Sequence, residues 1–203
     1  MGRTNTIEYG IYLGISKAMI AKFDEGVARI IPNVKDNSDF IDSAVYIQKK
    51  NDKEILFVGL KAKNNVVMHP DDAYEEFLVR MDDKRSYVFK ESGKKILAEE
   101  LSAEILKALK ENVREQNGDQ VSAVVITHSA DFNQTNIQAT MRAAELAGFE
   151  EYHLIQEPYA AVLAYAYDSS EEDDGYWMLY DLGGTFNVAI VRKKKMIWIW
   201  SLM

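Results

Sequence analysis

Apolar and polar positions alternate in short runs through the first part of the chain, and the period changes near residue 99. Ile7 to Leu13, Ala18 to Phe23 and Val27 to Ile31 read as three short strands, with Asp24-Glu25-Gly26 as the hairpin turn between the last two. Ala44 to Ile47 and Ile55 to Val58 make a further pair around the polar run KKNDKE. From Glu99 onward, Leu101, Ile105, Leu109 and Val113 recur four apart, which predicts a long amphipathic helix stopped at Gly118. VSAVVIT (121–127) predicts a buried strand, TNIQATMRAAELAGF a helix closing at Gly148, EYHLI a strand, and EPYAAVLAYAY a helix with Pro158 in its first turn. An antiparallel meander therefore gives way to strand-helix alternation, the pattern of an α/β layer. DSSEEDDG (168–175) predicts a solvated acidic turn.

One pattern occurs twice. YGIYLGISKAMIAKF (9–23) and MLYDLGGTFNVAIVR (178–192) are each an apolar strand, a Leu-Gly turn and a second apolar strand. Placed side by side, Tyr12-Leu13-Gly14-Ile15-Ser16 faces Asp181-Leu182-Gly183-Gly184-Thr185, so one copy ends its first strand in a carboxylate and the other in a tyrosine.

Composition narrows the chemistry. The chain has 203 residues, 47% of them apolar and 28% charged, enough for one large domain or two small ones. There is no run of about 18 apolar residues and no basic-then-apolar leader pattern, which predicts a soluble, cytoplasmic-type protein without a membrane span. With no cysteine, disulfide and thiolate chemistry are excluded, and His69, His128 and His153 lack ligand spacing. A net charge of -8 argues against a nucleic-acid surface, which needs a Lys/Arg stripe.

A glycine turn lets backbone N–H groups approach a ligand from one side, forming a small anion nest suited to phosphate. Ser16 and Thr185 would add hydroxyl donors, and Asp181 could hold magnesium through its water shell. Against this, a Leu-Gly hairpin is common and need bind nothing. No G-x-x-x-x-G-K-S/T and no G-x-G-x-x-G occurs, so neither a Walker-type nor a dinucleotide site is supported.

The stretch VSAVVITHSADFNQTNIQATMRAAELAGFEEYHLIQEPYAAVLAYAY, followed by YDLGGTFNVAIV, resembles the N-terminal part of the nucleotide-binding domain of DnaK-type chaperones, the heat shock 70 kDa protein family. GIYLG, Ile31-Pro32-Asn33 and VGLKAKNNVVMHP (58–70) extend the resemblance from about residue 7 to about residue 192. It implies an α/β actin-like ATPase fold, of the ribonuclease H-like kind, in which paired hairpins clasp ATP between two lobes; only the first lobe is present here. The implied organisation is an actin-like subdomain of residues 7–37 and 119–192 carrying both phosphate loops, a smaller inserted subdomain of 38–118, and an atypical tail, 193–203. The tail, RKKKMIWIWSLM from Arg192, reads as aromatic without a partner strand. Reading Lys195 to Met203 one base earlier allows a sequence that resembles the family's continuation, so a frameshifted or prematurely stopped reading frame is expected.

Carried over by resemblance, the phosphate-binding positions are Gly14, Ile15, Ser16, Gly183, Gly184 and Thr185. Glu157 matches the family's hinge-site acid, and Asp181 matches the first Asp of the second loop. Tyr12 replaces the first-loop Asp, and Ile15 and Ser16 replace two Thr. The catalytic Lys position falls on Phe77, with Arg80 as the alternative one turn on. In the second loop one Gly is missing and Asn187 replaces an Asp. Ser129 and Ile137 replace the Pro and Arg that relay the nucleotide state. The resemblance implies ATP or ADP with magnesium, unfolded polypeptides and co-chaperones as partners, and a role in the stress response. The substitutions predict a vestigial site unable to hydrolyse ATP. An active chaperone ATPase or a non-catalytic interaction module are the alternatives, and the exposed cleft face is expected to favour self-association.

Overall fold

The computed structural model describes residues 7–168, 175–194 and 197–201, so most of the expected acidic turn lies outside the described residues. Strands β1 (Tyr9–Leu13), β2 (Lys17–Asp24) and β3 (Val27–Ile30) form the meander read from the sequence. Its second turn has Glu25 at φ 51° and Gly26 at φ 81°, the two left-handed positions that a tight two-residue hairpin turn requires. Then come β4 (Ile41–Asp42), β5 (Ala44–Lys50), β6 (Lys53–Val58), a short helix α1 (Leu60–Lys63), β7 (Ala73–Glu75) and a 3₁₀ turn over Phe77–Arg80. β8 (Tyr87–Val88) and β9 (Lys95–Ile96) lead into helix α2 (Ala98–Asn117).

α2 begins where Glu100 Oε2 accepts the Leu97 backbone N–H at 2.7 Å, and it ends at Gly118 with φ 76°. Its apolar stripe, Leu101, Ile105, Leu109 and Val113, is buried, as its spacing of four requires. Next come β10 (Ala123–His128) and α3 (Gln134–Leu146), the latter started by a reciprocal pair: Asn133 Oδ1 accepts from Asn136 N at 3.1 Å, and Asn136 Oδ1 accepts from Asn133 N at 3.0 Å. β11 (Glu151–Gln156) runs directly into α4 (Glu157–Asp168), and the chain closes with β12 (Gly175–Leu182), β13 (Phe186–Lys194) and β14 (Ile197–Ser201).

The main sheet has the order β11-β10-β1-β2-β3, with β4 added beside β2. β1, β10 and β11 are parallel, whereas β2 and β3 are antiparallel. This mixed sheet and its helices are the α/β arrangement expected. β5, β6 and β7 form a separate three-stranded sheet, and β12, β13 and β14 another. One apolar core runs through Ile11, Leu13, Val124 and Ile126 of the main sheet, the buried stripe of α2, Ala143 of α3, and Val45 and Ile47 of β5. Inside this core α2 reaches both the main sheet and the β5 sheet.

The tail departs from expectation. β14 pairs antiparallel with β13, with Val191 opposite Trp200 and Lys193 opposite Trp198. Its Ile-Trp-Ile-Trp run has the strand propensity that an open hairpin edge accepts.

Candidate functional site

The two Leu-Gly hairpins meet. The β1–β2 loop is fixed from below, since Ser43 Oγ donates to the Gly14 carbonyl at 2.8 Å and Ser43 N donates to the Ser16 carbonyl at 2.9 Å. Gly14 has no room for a side chain: a β-carbon there would lie 2.5 Å from Tyr12 Cε1 and 2.7 Å from the Lys17 carbonyl oxygen. Across the gap, a β-carbon on Gly184 would lie 2.7 Å from Ser16 Oγ and 3.0 Å from Ile15 Cβ. The loops are thus in van der Waals contact, and the cavity left between them holds about 20 Å³. That is room for roughly one water molecule.

Tyr12, Ile15, Ser129, Glu157, Asp181 and the Gly183-Gly184-Thr185 turn line this cleft, so most of the residues singled out from the sequence converge. The Tyr12 hydroxyl reaches the second loop, since a β-carbon on Gly183 would lie 4.0 Å from both Tyr12 Oη and Asp181 Oδ1. Burial pushes the Tyr12 phenol up to about 12, helped by the fields of Glu157 and Asp181. Glu157 is pushed up to about 7 by burial first, then by Asp181 and Asp131. As the first residue of α4, it would ordinarily gain from the helix dipole as a carboxylate, but burial beside two acids outweighs that gain.

The anion nest expected from the glycine turns is not formed at Gly14 or Gly183. Gly14 N donates to the Lys17 carbonyl at 3.1 Å and Gly183 N to the Thr185 carbonyl at 2.9 Å, so both donors are used within their own turns. Among the described residues no Lys or Arg lines the cleft or the adjoining 140 Å³ hollow, in which Asp131 and Asn187 join Glu157 and Asp181. Among the described residues no group of three or more His, Asp or Glu could hold a metal ion. A magnesium triphosphate therefore does not fit this arrangement: the space is filled by Tyr12, and the polyanion would meet carboxylates without a compensating cation.

Phe77, its alternative Arg80 and Ile137 lie outside the cleft lining. Phe77, read as the catalytic Lys position, is 0% exposed and sits in the core with its ring 6.5 Å from that of Tyr87. Its neighbour Leu78 lines the cleft instead, because one step along a 3₁₀ turn swings the side chain by about 120°. Arg80 does not substitute: it bonds Asp83 Oδ2 at 3.1 Å and lies over the Tyr87 ring. Ile137 is half-buried on α3, outside the cleft lining. Asn187 reaches Thr185 Oγ1 at 3.2 Å and stands opposite Asp181 in the hairpin.

Sequence reasoning missed Leu78, Asp131 and Phe132. The last two follow the C-terminal end of β10, a parallel strand, where α/β sheets collect their ligand-facing loops, and that rule could have found them. A much larger concavity, about 830 Å³, lies between α2 and β6, and no expected site residue lines it.

Comparison with known proteins closes the question of family. Residues 8–196 match the family model described as Hsp70 protein. The chain is 31% identical over 207 residues to "Chaperone protein DnaK" of Stenotrophomonas maltophilia, an alignment covering 90% of this chain and 32% of that protein. It is 33% identical over 206 residues to "Chaperone protein dnaK" of Gracilaria tenuistipitata var. liui, with the same 90% and 32% coverage. The chain thus spans about a third of the length of the curated relatives it matches. With the family model matched over nearly its whole length, and with two Leu-Gly hairpins meeting at the end of a mixed sheet, this chain belongs to the Hsp70 family.

Proposed function

We propose that this chain is an Hsp70-type nucleotide-domain lobe that keeps the fold and has lost hydrolysis, acting through its surfaces and not through phosphoryl transfer. One observation carries the reading: the Tyr12 side chain occupies the gap between the two hairpin turns, beside Glu157 and Asp181. Phosphoryl transfer depends on positioning and on charge that offsets the γ-phosphate. Here Tyr12 takes the place of a first-loop carboxylate, and Leu78 brings an apolar side chain to the cleft.

ATP or ADP with magnesium remains the ligand that the family implies, and unfolded polypeptides with co-chaperones the partners, in a cytoplasmic stress-response setting. For this chain those roles need contacts beyond the third of its relatives that it spans. We further propose 7–37 with 119–192 as one subdomain and 38–118 as an insertion. β4 ties the insertion to β2, and α2 is shared by the core on both sides. No helix among the described residues is long and apolar enough to cross a membrane.

The test is binding and turnover by the unmodified chain. The expected result is no magnesium-dependent hydrolysis above background and ATP affinity no tighter than roughly millimolar, about 4 kcal/mol. Single-turnover hydrolysis that Asp181→Ala abolishes would overturn the reading. An active ATPase is the competing reading, with Glu157 and Asp181, both retained at the cleft, as its support.

A further inference from the structure

The chain holds one Asn-Gly pair, Asn117–Gly118, and it falls at the end of α2. Both residues are exposed, and a β-carbon on Gly118 would meet nothing within 4 Å, so the space around this peptide is open. Gly118 N nonetheless donates to the Arg114 carbonyl at 3.0 Å, the last bond of the helix. Two further contacts hold the same turn. Gln116 Nε2 donates to the Pro32 carbonyl at 3.1 Å, and Asp119 Oδ2 accepts from Tyr9 Oη at 2.5 Å and from Lys22 Nζ at 2.9 Å. Asn112, earlier on the same helix, is by contrast buried, with its Oδ1 accepting from Val34 N and its Nδ2 donating to the Pro32 carbonyl.

We propose that Asn117 is a self-modification site, converted to aspartate and isoaspartate by the Gly118 amide whenever the last turn of α2 opens, and that the product then keeps that turn from closing. The Gly118 nitrogen, on losing its proton to hydroxide, forms a bond to Asn117 Cγ. The Cγ–Nδ2 bond breaks, and Nδ2 leaves as ammonia after taking a proton from water. Water then adds to either carbonyl of the cyclic imide, and ring opening gives aspartate or isoaspartate. Glycine is the residue at which this attack is least hindered, since no β-carbon shields its nitrogen.

The fold sets the rate. Helical backbone angles at Asn117 direct the Gly118 N–H toward Arg114 and away from the Asn117 side chain, so ring closure waits until that bond is broken and the peptide has rotated. Helix ends open at far lower free energy than cores, and here opening must also release Gln116 from Pro32. The product then weakens what held the turn. A carboxylate at position 117 stands at the negative end of the helix dipole, between Glu115 and Asp119, and isoaspartate also lengthens the backbone by a methylene, which displaces the left-handed cap at Gly118. Asp119 is carried away from Tyr9 and Lys22, and α2 loses this tie to the first hairpin. Loss of ammonia makes the change one-way, so the site records how often α2 has opened.

The proposal is independent of catalysis, because none of these residues lines the cleft. Its test uses the whole chain, aged at mildly alkaline pH and read by peptide mapping with mass spectrometry and by isoaspartyl methyltransferase labelling. Asn117 should be the first asparagine converted, at least about tenfold more slowly in the folded chain than in urea, because the reaction waits on local opening. Asp119→Ala should speed the folded-chain reaction about threefold or more and leave the rate in urea unchanged, since it loosens the turn without touching the reacting atoms. Should that variant fail to fold, Gln116→Ala, at an exposed position, frees the turn from Pro32 and gives the same readout. Asn117→Gln should remove the label from this peptide. The aged chain, and Asn117→Asp with it, should exchange the amides of the last α2 turn at least about threefold faster than the fresh chain. Another asparagine converted first, equal rates in the folded chain and in urea, or an aged chain whose α2 exchanges as before would each overturn the proposal.

Discussion

The first and second hairpins share nearly one local sequence and live in different surroundings. In β1, Tyr9, Ile11 and Leu13 are buried against the core of α2 and α3, and a parallel neighbour, β10, pairs along its free side. In β12 the same alternation leaves Tyr176, Met178, Tyr180 and Leu182 outward, with neither a strand on its outer edge nor a layer over its outer face among the described residues. Both sequences make a two-stranded ribbon with a glycine turn. How much the apolar positions of that ribbon stabilise the fold depends on what packs against them.

The strongest way to break this comparison is to charge the core beneath the first hairpin. Phe77→Lys, which places a cation at the position the family resemblance points to, should cost about 4 kcal/mol or more in a denaturation curve, because it removes a buried ring and buries an ammonium group. A variant as stable as the parent would show that Phe77 is not in the core. Next in size is a matched pair of truncations. Ile11→Ala, at 1% exposure, should lose about 2–5 kcal/mol, whereas Met178→Ala, at 67%, should stay within about 0.5 kcal/mol. Equal losses would mean that the second hairpin is buried to the same degree as the first.

The junction of the two hairpins should respond to pH. Glu157, raised from 4.5 to about 7, holds its proton more tightly in the folded chain than in the unfolded one. Stability from this group is therefore full below its unfolded value and is lost as pH rises through about 7, the reverse of an ion-paired carboxylate. The loss is at most about 3 kcal/mol between about pH 5 and about pH 8. Glu157→Gln should flatten that slope in urea titrations, and an unchanged slope would place the titrating group elsewhere. Tyr12, Asp131 and Asp181 face Glu157 from the other elements, and Asp181→Asn should lower the Glu157 value, since its charge is one of the named causes.

The smallest contrast lies in the glycines. Gly14→Ala forces a β-carbon against Tyr12 and the Lys17 carbonyl and should cost about 1–3 kcal/mol. Gly183→Ala meets nothing closer than 4.0 Å and should stay within about 0.5 kcal/mol, read from the same urea midpoints. Equal effects would say that the two turns are packed alike.

The sequence by itself determined the ribbons and helices. Period-two runs around glycine turns gave β1–β2 and β12–β13, a period of four ended by Gly118 gave α2, and the alternation from residue 121 gave the parallel strands of the main sheet. These are local properties, set by which backbone conformations a residue allows and by the side on which its apolar neighbours fall. The family resemblance added which residues should share a site, and Tyr12, Glu157, Asp181 and the second glycine turn do line one cleft.

What only the tertiary structure decided is every property that depends on approach across the chain. A 3₁₀ turn sets whether Phe77 or Leu78 faces the cleft, and its phase is not visible in a short apolar run. Glu157 holds its proton more tightly than a free carboxyl because folding removes water from it and brings Asp181 and Asp131 beside it, a matter of dielectric and distance that no spacing along the chain encodes. The cleft is closed because Gly184 packs onto Ser16, 168 positions away, and the outer side chains of β12 are exposed because no described segment folds back over them.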